Sequence, residues 1–445
     1  MHIAIKYSAE YGPVVSAHLG PRAFVFLGDP QDIEIILSSP VHIEKSVEYR
    51  LFEPWLGDGL LITKGDKWRK HRKAIAPAFH MSILKTFAPL FYENSLDLVP
   101  RLREKVGQKF DCHDYLSAAT VDILTETAMG VRRERRQNTG YDYAMAVMKL
   151  SDIVHRRHFD LSLRLDVLFK FSKLAKVQKS LLQTIHTLTE NVIREKWKVI
   201  EEEEQNKTLI GDIEMEKSIA AENARDNSGT ANYTKLHYAK DDLDDIDEND
   251  TGEKKRLAFL EMLMDMKKNG GQMTDEEIWE EVNTIMFEGH DTTAAGSSFA
   301  LCALGSLPEI QEHEINHYCF KVTANYVVPK DVTVVIGQFV AHRNEKYYPN
   351  PLVFNPDNFL PEKMQRRHYY AFIPFSAGSS SAGPRSCVGR KYAMLKLKVL
   401  LSTILRNYRI TSDVSYQDFD LQGDIILKRT DGFNIKIEPR KSASK

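Results

Sequence analysis

The spacing of hydrophobic residues along the chain predicts a mainly helical fold with a minor β region. Apolar side chains recur at helical intervals over Met81–Val106 and Gln178–Glu204, which is typical of amphipathic helices with one face in a core. Two short β-rich runs, Pro13–His18 and Ala23–Leu27, flank a Leu-Gly-Pro turn and predict a hairpin. A Val-rich run at Tyr326–Ile336 predicts a further strand late in the chain.

A long helix is predicted between Thr274 and Ser306, and its middle is polar. Thr274 and Glu277 form a capping-box pattern at its start, and a Leu-Pro pair follows its end. A helix of about 30 residues is roughly 45 Å long and crosses a whole domain. The stretch Glu288–Thr293, which we call the polar notch, has apolar residues on both sides. A helix edge facing solvent would explain it, but the apolar flanks favour a buried functional site.

One cysteine lies in a loop that suits metal binding. Cys387 stands between Gly383 and Gly389, directly before a helical stretch at Lys391–Asn407. The helix N-terminus and the nearby Arg385 favour a thiolate. A nucleophilic cysteine would need a histidine base, and none is near in the sequence, although a partner distant in sequence stays open. Ligation fits better, and haem iron is the metal normally held by a single cysteine.

Composition excludes several classes of protein. The 445 residues include 60 basic and 62 acidic side chains, so no bulk charge indicates a nucleic-acid partner. The four cysteines are widely spaced and form no CxxC pair, which argues against a disulfide scaffold or zinc ribbon and favours a reducing compartment. No run approaches the roughly 18 apolar residues that a transmembrane helix needs.

The segment 201–255 differs from the rest because charged and small polar residues dominate it. A calcium-binding loop is one interpretation, but from Asp245 the sixth position is Asp250 rather than glycine. The alternative is a disordered, solvated acidic insertion, since the segment has too few apolar residues to offset the entropy of ordering it. We favour the insertion.

Four short motifs, in the expected order, resemble those of the cytochrome P-450 monooxygenases. The sequence from Phe375 through Cys387 to Gly389 is similar to their haem-binding loop, and the polar notch is similar to the oxygen-activating helix of family 4. Trp68-Arg-Lys-His-Arg72 resembles the WxxxR element that binds a haem propionate. Asn355–Phe359 stands at the family's PxRF-like meander, with Asn358 in place of the usual arginine. The resemblance implies one cytochrome P-450 domain over residues 1–445.

The resemblance implies roles for the residues that face the iron. Cys387 would be the axial thiolate ligand of haem. Asp291 and Thr292 would relay protons to the iron-bound dioxygen, and a distortion of the helix at the polar notch would leave room for oxygen and water. Glu288 matches the family-4 glutamate that forms an ester with a haem methyl group. A carboxylate bonded to nearby backbone is the alternative, and we favour the ester.

The resemblance also implies how the haem edge and the redox partner are bound. The side chains that neutralise the propionates and donate hydrogen bonds to them would be Trp68, Arg72 and Arg385. Phe375 would pack against the cofactor near the sulfur. A group of basic residues is either a docking face for an acidic reductase or an ordinary solvated surface. The group consists of Arg69, Lys70, Lys73, Arg390, Lys391, Lys396 and Lys398.

The acidic segment and the run Tyr369–Pro374 are similar to the insect G subfamily of family 4. This implies oxidative decarbonylation of long-chain aldehydes to cuticular hydrocarbons, driven by NADPH-cytochrome P-450 reductase and dioxygen. Fatty-acid ω-hydroxylation is the alternative activity. A haem-free, inactive remnant is the alternative of another class. The implied location is the cytosolic face of the endoplasmic reticulum membrane, and because the sequence begins near the first hairpin without an anchor, we expect peripheral membrane contact.

Two internal features depart from the family pattern. Only 95 positions separate Thr292 from Cys387, several dozen fewer than the family has, so the ExxR helix region is expected to be missing. Glu222–Arg225 and Glu253–Arg256 fit the ExxR spacing, but both lie upstream in the acidic segment. The haem loop also contains a near-duplication that places Phe375 twelve residues before Cys387 instead of seven. Either the loop bulges outward and keeps Phe375 near the sulfur, or this packing is lost.

Overall fold

The computed structural model of the chain describes residues 2–20, 22–39, 41–132, 140–214, 257–270, 273–308, 310–312, 332–377 and 385–440. Its helices are α1 (His2–Tyr11), α2 (Pro30–Leu37), α3 (Glu53–Leu56), α4 (Gly65–Ile75), α5 (Met81–Arg103), α6 (His113–Thr127), α7 (Gly140–Phe159), α8 (Leu161–Arg164), α9 (Asp166–Lys170), α10 (Lys173–Glu214), α11 (Phe259–Lys268), α12 (Asp275–Gly305), α13 (Gln338–Ala341), α14 (Pro361–Met364) and α15 (Arg390–Asn407). Its strands are β1 (Val14–Leu19), β2 (Arg22–Leu27), β3 (Phe110–Asp111), β4 (Thr333–Ile336), β5 (Tyr408–Thr411), β6 (Leu421–Gln422), β7 (Lys428–Arg429) and β8 (Asn434–Pro439).

The predicted mainly helical fold with a minor β region is confirmed. The hairpin forms between β1 and β2, with Val14 opposite Leu27. β4 joins β2 in parallel, with Phe24 opposite Thr333, and completes a small sheet in the order β1-β2-β4. A second small sheet has the order β3-β8-β5, and β6 pairs with β7. Of the strand predicted at Tyr326–Ile336, positions 326–331 lie outside the described residues.

The central element of the fold is α12, which begins and ends where the sequence predicts. The capping box is present: Glu277 N donates to Thr274 Oγ1 at 3.1 Å, and Thr274 N donates to Glu277 Oε2 at 2.9 Å. α12 packs against α6, α7, α10 and α15, and most of its side chains are buried. Because these helices surround α12, the direction of each side chain on α12 determines whether a polar group of the notch faces the interior.

The helix α10 is longer than the hydrophobic pattern predicts. It continues to Glu214, so residues 201–214 of the predicted acidic insertion are helical in the structure. Glutamate, which is frequent in residues 201–214, has high helix propensity, so it can extend a helix that is already packed against the core. Residues 215–256, which include the rejected calcium-binding pattern, lie outside the described residues. So do residues 313–325 of the interval 311–325, where the ExxR region is expected to be missing.

Among the described helices, none is by itself long and apolar enough to cross a membrane. One pair, Gly65–Phe79 with Met81–Arg103, meets the length and composition criteria together, but it is bent by 56°.

The polar notch does not break α12, contrary to the distortion that the resemblance implies. The helix is continuous through residues 288–293. Side-chain hydroxyls donate to three successive carbonyl groups: Thr292 to Glu288 O at 2.7 Å, Thr293 to Gly289 O at 3.1 Å, and Thr120 of α6 to His290 O at 3.2 Å. The threonines therefore bond to the helix backbone itself, which satisfies their hydroxyls without opening the helix.

A buried lysine connects α15 to the notch. Lys396 is fully buried, and its Nζ donates to Gly289 O at 2.6 Å. The ammonium also lies 5.2 Å from the centre of the Tyr392 ring. No carboxylate of the described chain lies within salt-bridge distance of it, and burial lowers the pKa of Lys396 to about 7. A carbonyl dipole and an aromatic face thus take the place of a counter-ion.

We expect substitution by alanine at two glycines of α12 to change the free energy of unfolding in opposite directions. A Cβ on Gly289 would lie 2.8 Å from Cδ2 of Leu124, whereas a Cβ on Gly296 would meet only Cδ2 of Leu397 at 3.9 Å. Alanine favours a helix interior by about 1 kcal/mol over glycine, but overpacking costs about 1–3 kcal/mol. Gly296→Ala should therefore raise the free energy of unfolding in urea and Gly289→Ala should lower it. Equal changes in both variants would contradict this packing.

The stability of the wild type should rise with pH relative to Lys396→Met. Between the folded pKa of about 7 and the reference value of 10.5, the unfolded chain binds more protons at Lys396 than the folded chain does. The free energy of unfolding then increases with pH, by at most about 1.4 kcal/mol per pH unit. Urea unfolding of both proteins at pH 7 and pH 9 measures this difference.

The matched control for this prediction is Lys398→Met, which removes an exposed lysine from the same helix. Its stability difference from the wild type should be nearly independent of pH over the same range. If Lys396→Met and Lys398→Met show the same pH dependence, Lys396 does not lose its proton on folding.

Candidate functional site

Residues from both ends of the chain meet at the loop that carries Cys387. Arg72 of α4 donates from Nη1 to the carbonyl oxygen of Ser386 at 2.9 Å. The guanidinium of Arg385 lies 4.5 Å from the centre of the Trp68 ring. The structure therefore brings the predicted residues Trp68, Arg72 and Arg385 together immediately before Cys387.

The Arg385 side chain is a cation without an acidic partner. Its three guanidine nitrogens donate to backbone carbonyls: Nε to Ile43 at 2.8 Å, Nη1 to Leu60 at 3.1 Å, and Nη2 to Thr63. Within the described residues, no carboxylate lies within salt-bridge distance of Arg385, and burial lowers its pKa to about 10. A half-buried cation balanced only by carbonyl dipoles suits an anionic group of a ligand.

Phe375 remains next to the cysteine in spite of the longer spacing. The backbone N–H of Cys387 donates to the carbonyl oxygen of Phe375 at 3.0 Å. Residues 378–384 between them lie outside the described residues. Of the two predicted alternatives, the backbone contact supports the one in which Phe375 stays beside the cysteine.

The sulfur of Cys387 is accessible, but the loop does not by itself produce a thiolate. Part of the Cys387 surface is exposed, but the sulfur lies deep enough to lose much of its hydration. This desolvation and the carboxylate of Glu288 together raise the pKa of Cys387 to about 11. A backbone hydrogen bond from Gly389 and the charges of Arg72 and Arg390 oppose the rise without cancelling it. The raised pKa runs against the sequence-based expectation of a thiolate in the loop alone. A bound metal cation would supply the missing stabilisation, because a coordinating thiol loses its proton.

One face of α12 is open in the middle of the helix, where most neighbouring positions are buried. Thr292 and Gly296 are exposed and Glu288 is half-buried, at intervals of four residues that place all three on one face. Glu288 acts electrostatically on Cys387, so the open face and the sulfur are neighbours. Burial also raises the pKa of Glu288 to about 7. An accessible thiol, a nearby helix face with open space beside it and a cation without a counter-ion fit an iron porphyrin with carboxylate side chains.

Asp291 and Thr292 are adjacent in sequence but lie on different faces of α12. Asp291 is 1% exposed, and Oδ2 has no hydrogen-bond partner among the described residues. Burial raises the pKa of Asp291, while the charges of His113 and Lys428 oppose the rise. The Thr292 hydroxyl instead donates to Glu288 O on the open side. The structure therefore does not bring these two predicted side chains into contact.

The predicted basic face loses one member. Arg69, Lys70, Lys73 and Lys398 are exposed, and Arg390 and Lys391 are half-buried. Lys396 was predicted in this group because lysine usually faces water, but it is fully buried against Gly289. The remaining basic residues keep their surface positions.

Sequence reasoning missed a buried ionic cluster between α4 and α12. His71, which is fully buried, contacts Glu281 Oε1 through Nδ1 at 2.7 Å and Glu277 Oε1 through Nε2 at 3.2 Å. Glu281 also accepts a hydrogen bond from Leu60 N at 3.1 Å. The four-residue spacing of the two glutamates, and the histidine inside the Trp68–Arg72 motif, were the available signals.

Sequence reasoning also missed Arg367, which lies in the meander region. Its Nε donates to Tyr347 O at 3.2 Å, its Nη2 donates to Asn358 O, and its guanidinium lies 4.1 Å from the centre of the Tyr348 ring. Asn358, in the position of the family's usual arginine, is itself buried. A different arginine therefore occupies the interior of the meander.

Comparisons with known proteins agree with this geometry. A family model described as Cytochrome P450 matches residues 1–319 and 314–437. The chain is 45% identical to Cytochrome P450 4g15 of Drosophila melanogaster, over 98% of this chain and 88% of that protein. It is 44% identical to Cytochrome P450 4g1 of the same species, over 99% and 85%, and 33% identical to Cytochrome P450 4V2 of Homo sapiens, over 98% and 84%.

The comparisons also bear on the predicted internal deletion. The two matched segments of the family model meet at residues 314–319, within the interval where the ExxR region was expected to be missing. The alignment with Cytochrome P450 4g15 spans 509 positions, more than the 445 residues of this chain, so dozens of that protein's residues have no counterpart here. The proteins of this family bind haem iron and are oxidoreductases that work with a redox partner and dioxygen. The chain belongs to the cytochrome P450 family, in family 4 and with its insect G subfamily.

Proposed function

We propose that the chain is a haem-thiolate monooxygenase that converts long-chain aldehydes to shortened hydrocarbons by oxidative decarbonylation. The observation that carries the proposal is the placement of the accessible Cys387 thiol near the open face of α12 that bears Glu288 and Thr292. The choice of reaction rests on similarity to the G subfamily.

Different residues around the cysteine would bind the iron and the carboxylates of the cofactor. Cys387 would be the ligand of the iron, and Arg72, Arg385 and Trp68 would bind the carboxylates at the haem edge. Arg385 suits this role because no carboxylate of the described chain already pairs with it. When bound, haem supplies the activation of dioxygen.

The open face of α12 supplies proton-handling groups. Thr292 holds a hydroxyl on this face, bonded to Glu288 O. Asp291, directly behind it, is a buried carboxylate whose raised pKa favours the protonated form. Glu288 is accessible enough to form the ester with a haem methyl group that family 4 is known for. A free carboxylate at this position remains the alternative.

Fatty-acid ω-hydroxylation is the second candidate activity. The Glu288–Thr293 motif favours it because it resembles the fatty-acid-oxidising family 4 as a whole rather than the G subfamily alone. The two activities give different products from a long-chain aldehyde: a shortened hydrocarbon or a hydroxylated chain.

An exposed apolar surface supports contact with a membrane. It extends from the end of α7 through α8 and α9, and its exposed large side chains are Phe159, Leu161, Leu165, Val167, Leu168 and Phe171. We call this the apolar surface. Leu161 also lies near Gly20 at the turn of the β1–β2 hairpin. A group of exposed large apolar side chains on neighbouring short helices is typical of an interaction site. The proposed location is the cytosolic face of the endoplasmic reticulum membrane, where NADPH-cytochrome P-450 reductase would meet the exposed basic residues.

The haem assignment predicts a thiolate-type Soret band that depends on Cys387. The expressed chain supplied with haem should give this band in a reduced carbon monoxide difference spectrum, and Cys387→Ser should abolish it. Ser386→Ala, which leaves the sulfur in place, should retain it.

Product analysis of the active protein with NADPH, reductase and a long-chain aldehyde should show the shortened hydrocarbon. Absence of bound haem in the wild type would instead support the inactive-remnant alternative.

The apolar surface predicts binding to neutral phosphatidylcholine vesicles. Phe171 is 87% exposed and Leu168 is 52% exposed, so Leu168→Asp with Phe171→Asp should remove apolar contact without disturbing a core. Transfer of one large apolar side chain contributes about 1.5–3 kcal/mol, so the double variant should bind vesicles at least about tenfold more weakly in a flotation assay. The control is Tyr92→Asp with Leu96→Asp on α5, which are exposed elsewhere. Equal loss in both double variants would contradict the assignment of the surface.

A further inference from the structure

A histidine between two carboxylates joins the surface to the interior beside α12. Glu277 is the outer group, with its side chain 19% exposed and 3.8 Å from Nζ of Lys70. His71 and Glu281 are both fully buried. The contacts run from Glu277 Oε1 to His71 Nε2 at 3.2 Å, and from His71 Nδ1 to Glu281 Oε1 at 2.7 Å. Each ring nitrogen therefore faces a different carboxylate.

This arrangement has the geometry of a proton relay. An imidazole can accept a proton at one nitrogen and release a proton from the other, because its two nitrogens exchange roles between tautomers. Both distances are within hydrogen-bond reach for proton transfer. Burial opposes a charged ring, but the carboxylates of Glu281 and Glu277 outweigh it and raise the pKa of His71. Burial raises the pKa of Glu281 in spite of the bond to His71, so the inner carboxylate holds a proton more readily than a free one.

The inner end of the relay is aligned with the open face of α12. Glu277, Glu281, Thr284, Glu288 and Thr292 follow one another at intervals of three or four residues, and such positions share one face of an α-helix. Thr284 lies between the relay and the polar notch, and its buried Oγ1 has no hydrogen-bond partner among the described residues. Glu281 also acts electrostatically on Glu288. Polar residues thus recur along this face from the surface end of α12 to the site opposite Cys387.

We propose that His71 and Glu281 form a second proton-supply route to the oxygen-activating face, separate from Asp291. Burial raises the pKa of Glu277, but Thr274 N, His71 and Lys70 together lower it by a larger amount, so this carboxylate takes a proton from solvent hydronium only transiently. In one transfer, Glu277 passes that proton to His71 Nε2, and His71 gives its Nδ1 proton to Glu281 Oε1. Tautomer exchange then restores the ring, and Glu277 is again a carboxylate. The proton on Glu281 moves on toward Thr292 through water bonded at Thr284 Oγ1, because no described contact joins Glu281 to Glu288 directly. No electron is transferred in these steps, and the inference rests on the proposed monooxygenase function.

The neighbouring glutamate provides a matched control. Glu280 accepts a hydrogen bond from Asp58 N at 2.7 Å, as Glu281 does from Leu60 N, but Glu280 pairs with Lys67 at 2.9 Å and does not contact His71. Glu281→Gln keeps the shape of the side chain and can still bond to both Leu60 N and His71, yet it cannot take up the proton. Glu280→Gln makes the same chemical change one residue away from the relay.

The experiment compares the wild type, Glu281→Gln, His71→Gln and Glu280→Gln, each reconstituted with haem and reductase. We expect Glu281→Gln and His71→Gln to consume NADPH while product per NADPH falls about tenfold, within the range typical of a lost acid–base group. Their solvent deuterium isotope effect on product formation should differ from that of the wild type, and Glu280→Gln should match the wild type in both measurements.

Infrared spectroscopy provides a readout that does not depend on activity. A difference spectrum of the chain between two pH values should contain a buried carboxylic-acid band that is absent in Glu281→Gln and present in Glu280→Gln. In His71→Gln the midpoint pH of this band should shift, because its hydrogen-bond partner has changed.

Two outcomes would overturn the relay, and both are distinct from failure of the proposed function. In the first outcome, Glu281→Gln and His71→Gln both keep the wild-type yield of product per NADPH, isotope effect and infrared spectrum. This result would show that no proton passes through His71 and Glu281. Loss of the carbon monoxide band in Glu281→Gln, with the band kept in Glu280→Gln, would assign Glu281 a positioning role only. If the wild type itself shows no such band and no product, the monooxygenase function fails instead.

Discussion

The frame of the site depends on the buried carboxylate of Glu281. It accepts hydrogen bonds from His71 on α4 and from Leu60 N in the preceding loop. The carbonyl groups of Leu60 and Thr63, in the same loop, bind Arg385 two residues before the cysteine. One carboxylate therefore connects the oxygen-activating helix to the cysteine loop through residues far apart in sequence. Removing one partner of a buried charged pair costs about 3–5 kcal/mol, because the other charge is left unpaired.

Three buried or half-buried cations of the described chain bond to carbonyl groups and lie near aromatic rings. Arg385 bonds to three carbonyls and lies over Trp68, Arg367 bonds to two carbonyls and lies over Tyr348, and Lys396 bonds to one carbonyl near Tyr392. In the meander, Arg367 bonds to the carbonyl oxygen of Asn358, the residue in the position of the family's usual arginine. Carbonyl dipoles and ring faces stabilise a guanidinium without the desolvation of a second charge.

The sequence predicted the elements of the site better than their electrostatics. The capping box and the hydrophobic spacing located α12, because both signals are local and strong. The burial of Lys396 was not predictable, since its partner Gly289 O lies 107 positions away and a lysine normally faces water. The raised pKa of Cys387 was missed for a similar reason: the loop composition favours a thiolate, whereas burial and Glu288, which only the fold brings near, raise the pKa. Short-range patterns therefore located the elements, and long-range contacts determined the surroundings of their side chains.

The periodicity of α12 explains why adjacent polar residues of the notch have different environments. Successive residues of an α-helix are about 100° apart, so Asp291 and Thr292 point in different directions. Thr292 lies on the open face, while Asp291 faces α6 and α7 among buried polar groups. His113 Nε2, Tyr143 Oη and His290 Nε2 on that side, like Asp291 Oδ2, have no hydrogen-bond partner among the described residues. Buried polar atoms of this kind are usually satisfied by ordered water. Asp291 therefore lies against buried polar groups that ordered water can satisfy, whereas the hydroxyl of Thr292 is bonded to the backbone on the open face.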